Sequence, residues 1–121
     1  MSKKPANYDL EIRTAKFSED IVVFARKIKK DIINIPLITQ IIRSATSIGA
    51  NYCEAHGASS KKDFKHKIYI CKKEAKETKY WLQIIAKSNP EHTEECRKHW
   101  REVQELTLIF SKTILTLENK K

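Results

Sequence analysis

Residues 60–88 read SKKDFKHKIYICKKEAKETKYWLQIIAKS, and their spacing decides the fold class. Phe64, Ile68, Cys71, Ala75, Thr78, Leu82 and Ile85 recur at alternating steps of four and three. That is the heptad spacing of an α-helix packed along one seam. A half-buried strand would instead place an apolar residue at every second position. Ser60 followed by Asp63 supplies the start signal, a hydroxyl N-cap with an acid three residues on.

The same spacing extends in both directions. Downstream, Ser88-Asn89-Pro90 interrupts the pattern, with Asn89 expected as N-cap and Pro90 as first helical residue. Cys96, Trp100, Val103, Thr107, Phe110, Ile114 and Leu117 then form a second seam, widened by Leu106 and Ile109. Upstream, Leu37, Ile41, Ile48, Tyr52 and Ala55 lie on one side of a helix, with Ile38, Ile42, Ala45 and Gly49 beside them. Pro36 suits its first position and Gly57 its left-handed cap. The first helix takes Asp9 as N-cap and Phe17, Ile21, Phe24, Ile28 and Ile32 as its stripe. Four helices are therefore expected, at about 9–33, 36–56, 60–88 and 90–118. Breaks of a few residues place successive helices antiparallel. The predicted architecture is all-α, a single domain over 1–121 folded as an up-down-up-down four-helix bundle.

Composition narrows the function. Two glycines and three prolines in 121 residues are too few for a β-sandwich or barrel. They also leave no Gly-rich phosphate loop. No apolar run approaches the roughly 20 residues of a membrane helix. The opening MSKKPANYDLE turns polar and acidic where a signal peptide would be apolar. A soluble, cytoplasmic protein with no membrane partner is expected. Cys53, Cys71 and Cys96 are odd in number and fall in helical patterns, which suits reduced thiols packed as small hydrophobes.

The formal net charge of +9 is unevenly placed. Residues 59–89 hold nine lysines against Asp63, Glu74 and Glu77, which is two thirds of the excess. Lys3 and Lys4 add to the N-terminus, and residues 34–58 hold only Arg43 and Glu54. On a helical wheel Lys61, Lys65, Lys72, Lys76 and Lys79 fall within about 60° of one another, flanked by Lys62, Lys73 and Lys87. The row spans roughly 27 Å of helix, enough to follow a nucleic-acid backbone. Lysine without arginine or exposed aromatics favours backbone contact over base reading. The competing reading is a solvated helix face supported by local pairs such as Lys73–Glu77.

A second polar stripe marks the least charged helix. Gln40, Arg43, Ser47, Asn51 and Glu54 share one face, and Ser44, Ala45, Ser47, Gly49 and Ala50 are small enough for close helix approach. Such a helix suits cover on both sides, by its own bundle and by another subunit. Arg43 then needs a carboxylate, from Glu54, Glu74 or Glu77, and is expected to be partly buried. The alternative is an ordinary exposed polar face. Trp81 belongs to the core or to the subunit interface; its place away from the lysine row favours the interface.

Cys53/His56 and Cys96/His99 make two C-x-x-H pairs, nominally a Cys2His2 zinc set. They end the second helix and begin the fourth, at opposite ends of an up-down bundle roughly 30 Å apart. There is no Glu-x-x-His pair for a di-iron site and no nucleophile elbow. No catalytic residue, metal, cofactor or small-molecule substrate is expected.

QIIRSATSIGANYCEA (40–55), SKKDF (60–64) and CKKEAKETKYWL (71–82), in that order, closely resemble the bacterial four-helix-bundle family. That family is also called the 23S rRNA intervening-sequence protein family. The likeness runs from about Tyr8 to Phe110. Arg43, Ser44, Ser47, Asn51 and Glu54 match its RSAxSIxANxxE pattern, and Glu74, Glu77, Trp81 and Leu82 its ExxExxxWL pattern. Glu54-Ala55-His56-Gly57 departs from the Glu-Gly common in the family and displaces the glycine. The resemblance implies a left-handed bundle and a homo-oligomer, since similar proteins form pentameric rings. More distantly, the chain resembles the accessory protein of diversity-generating retroelements, a basic pentameric bundle that works with a reverse transcriptase and RNA. The expected function is non-enzymatic binding of RNA or DNA backbone through Lys61, Lys65, Lys72, Lys76 and Lys79. The alternative is a protein-interaction scaffold.

Overall fold

A computed structural model of the chain describes residues 6–119; Lys3 and Lys4 lie outside them. Four α-helices follow one another: α1 (Ala6–Lys27), α2 (Asn34–His56), α3 (Lys61–Ser88) and α4 (Thr93–Asn119). A 3-10 turn, Pro90–His92, precedes α4, and the described residues contain no strand. Each helix packs on the next, and α1 also meets α4.

The core is built where the periodicity placed it. On α3, Ile68, Cys71, Ala75, Thr78, Leu82 and Ile85 are buried, and Phe64 packs against them. Phe17, Ile21 and Phe24 of α1, with Ile28 just past its end, join Ile41, Ala45, Ile48, Tyr52 and Ala55 of α2 in one core cluster. α4 contributes Cys96, Val103, Leu106, Phe110 and Ile114, while Trp100 and Ile109 pack at its margin. Burial of these side chains is the main driving force for the fold, about 1.5–3 kcal/mol for each large one. Cys71 and Cys96 are buried as expected, and burial pushes their thiols up to about 12 and about 11. Cys53 departs from expectation and is exposed.

Gly49 lies at a close approach of α2 to α1. A Cβ there would lie 3.1 Å from Ser18 Oγ and 3.4 Å from the Thr14 carbonyl oxygen. Ser18 Oγ in turn lies 2.9 Å from the Ala45 carbonyl. The small residues Ser44, Ala45 and Gly49 thus serve packing within the chain.

The helix ends differ from expectation in instructive ways. α1 begins before Asp9, which lies inside the helix, and stops at Lys27 rather than near Ile33. Ile32 is consequently 87% exposed instead of closing the α1 seam. Lys30 Nζ turns back to the carbonyls of Ala25 (3.2 Å) and Arg26 (2.7 Å), satisfying groups that the helix end leaves open. Asp31 starts α2: its carboxylate accepts from the backbone N–H of Ile33 (3.1 Å) and Asn34 (2.7 Å). Pro36 is therefore the third helical residue, still among positions whose N–H needs no helical partner. Gly57 ends α2 with φ of −95°, not in the left-handed region, and donates to the Glu54 carbonyl. Ser60 caps α3 as expected, accepting from Asp63 N–H at 3.0 Å.

Asn89 is the clearest correction. It makes no side-chain cap for the turn that follows. Its amide pairs with that of Asn34: Asn34 Nδ2 donates to Asn89 Oδ1 (2.8 Å) and Asn89 Nδ2 donates to Asn34 Oδ1 (2.9 Å). The same nitrogens also reach the carbonyls of Lys29 and Ile85, both at 3.0 Å. This buried reciprocal pair ties the α1–α2 break to the α3–α4 break. Truncating one partner leaves the other amide short of a hydrogen bond in a buried site. Asn34→Ala or Asn89→Ala should each cost about 2 kcal/mol in chemical denaturation, and the double variant clearly less than the sum. Strict additivity would mean the amides act independently.

Candidate functional site

α3 is held on two flanks, and its charged side chains divide accordingly. Toward α2, Arg43 bonds to Glu74 (Nη1 to Oε1, 3.2 Å) and to Glu77, while Lys67 reaches Glu54 at 2.6 Å. Ser44 and Thr78 join hydroxyl to hydroxyl at 2.8 Å in the buried seam between them. Glu77 also accepts from Trp81 Nε1 at 3.0 Å, so one carboxylate orients both guanidinium and indole. Trp81 is half-buried at the edge of the core.

Arg43 thus finds two of its three candidate carboxylates, and Gln40 Oε1 accepts from its Nε at 3.1 Å. Its burial differs from expectation: its side chain is 46% exposed, against 10% for Glu74. The carboxylate is the buried member of the pair. Within the rest of the α2 row, Ser47 and Asn51 pair locally, Asn51 Nδ2 donating to the Ser47 carbonyl (2.9 Å) and to Ser47 Oγ (3.0 Å).

Toward α4, two members of the lysine row are engaged. Lys65 pairs with Glu118 at 3.5 Å, and Tyr69 donates to the same carboxylate at 2.6 Å. Lys79 donates to Gln104 Oε1, and its ammonium sits 5.3 Å from the centre of the Trp100 ring. Partial burial lowers the Lys79 pKa, and the charge of Lys76 adds to that. Lys61, Lys72 and Lys76 form no ion pair among the described residues, nor do the flanking Lys62, Lys73 and Lys87. The row is therefore part tie and part free charge. The α3 N-terminus adds its own positive dipole beside Lys61 and Lys62.

The two C-x-x-H pairs are not brought together. Among the described residues no three His, Cys, Asp or Glu side chains gather where they could hold a metal ion. No helix of the described residues is long and apolar enough to cross a membrane.

These helices and seams belong to a known group. The 23S rRNA-intervening sequence protein family matches residues 8–112. The chain belongs to that family. A solved structure, that of a protein of unknown function from the S23 ribosomal protein family of Bacteroides thetaiotaomicron, superposes with a TM-score of 0.82. It is 30% identical, and the match covers 89% of this chain and 96% of that one. No curated protein matches. Within this family member, the matching stretch takes in both the α2 polar row and all of α3.

Two features escaped the sequence reading. Arg13 of α1 grips Glu102 with two bonds (2.7 and 2.9 Å) and Glu105 with a third (2.7 Å), which raises the guanidinium pKa. No local signal announces a pair separated by 89 positions. His99, read from its spacing as half of a C-x-x-H pair, is buried against Phe24 and Phe17 (ring centres 5.2 and 6.5 Å). Its Nε2 lies 3.4 Å from Glu95, which also takes Lys27 at 3.2 Å. A helical wheel places position 99 beside Cys96 and Val103, so the α4 stripe was wider than apolar residues alone suggested.

Burial holds the His99 pKa below its usual value, outweighing the nearby Glu95 that favours the charged ring. The unfolded chain therefore takes up a proton first. The His99 contribution is intact above about pH 6.5 and is lost as acidification approaches the lower folded value. The midpoint of thermal unfolding should fall between about pH 7 and pH 5, and His99→Gln should flatten that fall. Parallel profiles for parent and variant would remove His99 from the account.

Proposed function

We propose that the chain is a cytoplasmic, non-enzymatic, homo-oligomeric protein that binds the backbone of RNA or DNA through the lysine face of α3. The observation that carries this reading is the set of free cations Lys61, Lys72 and Lys76, aligned on the same face as the anchored Lys65 and Lys79. From Lys61 to Lys76 the face extends roughly 22 Å, several phosphate spacings. Lysine ammonium groups are point charges suited to phosphate rather than to base edges.

The reading includes an antiparallel up-down-up-down bundle. In support, Arg13–Glu102 and Lys27–Glu95 run in opposite sense along α1 and α4, as do Arg43–Glu74 and Glu54–Lys67 along α2 and α3. Left-handedness and a pentameric ring rest on the family resemblance. In the ring, Gln40, Arg43, Ser47, Asn51 and Glu54, with Glu74, Glu77 and Trp81, face a neighbouring copy. Repetition of the lysine row around a ring strengthens binding by avidity.

A protein-interaction scaffold is the second reading, favoured by Ile32, Ile33 and Ile35, all exposed at the α1–α2 break. One experiment separates the two. Replacing Lys61, Lys72 and Lys76 together by Gln should weaken binding to structured RNA or duplex DNA by at least tenfold. The slope of log affinity against log salt should fall by about 2 to 3. The thermal midpoint should hardly move, since none of the three is ion-paired among the described residues. Unchanged affinity, with a stoichiometric protein partner recovered after nuclease treatment, would favour the scaffold.

A further inference from the structure

Beyond Lys79 the lysine face does not end. Lys72, Lys76, Lys79, Gln83 and Ala86 continue at steps of four, three, four and three, so the row leads into whatever lies beside Gln83 and Ala86. What lies there is a groove of about 290 Å³ between α3 and α4. Leu82, Gln83, Ala86, Cys96, Arg97 and Trp100 line it. Its walls are chiefly apolar, and its size is at the lower limit for a small-molecule site, room for one flat ring system.

Trp100 sits at the junction of row and groove. Its ring carries the Lys79 ammonium at 5.3 Å, so the last lysine of the row and the indole are already in register. Its Nε1–H is buried without a hydrogen-bond partner among the described residues. An orphaned donor is costly, so what holds Trp100 in place is the packing of its ring against the core and under Lys79, and the residue forms one wall of the groove. Arg97, held by Glu94, and the exposed amide of Gln83 stand at the rim.

We propose that this groove receives an unpaired base of a single-stranded nucleic acid, stacked on Trp100, while the flanking phosphates lie on Lys76 and Lys79. This rests on the backbone-binding reading above and narrows it to a strand with exposed bases. Stacking on an aromatic face needs a base released from its pair, whereas phosphate contact does not. Lys76 and Lys79 beside the groove complement the strand, and the apolar floor complements the base. A stacked duplex presents phosphates to the row but no free ring to the groove.

The test compares a labelled RNA of about 12 nucleotides with the same strand annealed to its complement, over a salt series. Two variants are used. Trp100→Leu removes the aromatic face and keeps an apolar filling. Ala86→Leu fills the groove and leaves Trp100 in place. Each should weaken single-strand binding about 5- to 100-fold, leave duplex binding within about twofold, and leave the salt slope unchanged. Single-strand affinity that is unchanged, or that falls in step with duplex affinity, overturns the stacking site. If the lysine triple variant still weakens both probes, backbone binding stands without it. Failure of the parent protein to bind either probe removes both.

Discussion

The seam of α3 is the constraint from which the rest follows. Ile68, Cys71, Ala75, Thr78, Leu82 and Ile85 are buried along it, and the helix is pressed between α2 and α4. Once that stripe is inside, the remaining arc of α3 has no freedom about what it displays. One flank meets Arg43 through Glu74 and Glu77; the other meets Gln104, Trp100 and Glu118 through Lys79 and Lys65. The lysines that neither flank occupies remain as uncompensated charge. A core-packing requirement and a surface electrostatic property are thus set by the same heptad register.

How far this could be read from residues alone depends on the range of the interaction. The seams were legible because burial repeats with the helix period, and Phe17 through Ile28, Ile68 through Ile85 and Val103 through Ile114 sit where that period puts them. Lysine alignment on α3 was legible for the same reason. Ends were harder. Ile32 continues the α1 stripe by spacing, yet Lys30 and Asp31 close one helix and open the next through bonds that apolar periodicity does not register. Asn89 has the chemistry of an N-cap, but the buried Asn34 amide competes for it and wins. Long-range ties such as Arg13–Glu102 have no local signature at all. The division of the lysine row into anchored and free members was likewise invisible, because it depends on what α4 places opposite.

The α2 row illustrates a different limit. A helix with two charges among residues 34–58 reads as covered on both sides, and Arg43 does acquire its carboxylates. Within one chain the guanidinium nevertheless stays 46% exposed while Glu74 is buried. The pair is asymmetric: burial of Glu74 demands a cation, and Arg43 supplies it from the rim. Its outer face, with Gln40 and the Ser47–Asn51 pair, is hydrogen-bonded but open. That is the part of the family's shared pattern that a neighbouring copy would cover, and it lies on the side of α3 opposite the lysine row. The assembly surface proposed on α2 and the nucleic-acid surface proposed on α3 would then be separate.

Lysine footprinting tests the central claim most directly. The protein is treated with an amine-reactive reagent, free and bound to a single-stranded oligonucleotide, and modification is read at each lysine by mass spectrometry. Backbone binding on α3 predicts selective protection of Lys61, Lys72 and Lys76, with Lys16, Lys29 and Lys112 reacting as in the free protein. Protection spread evenly over all lysines, or confined to α1 and α4, would contradict the account.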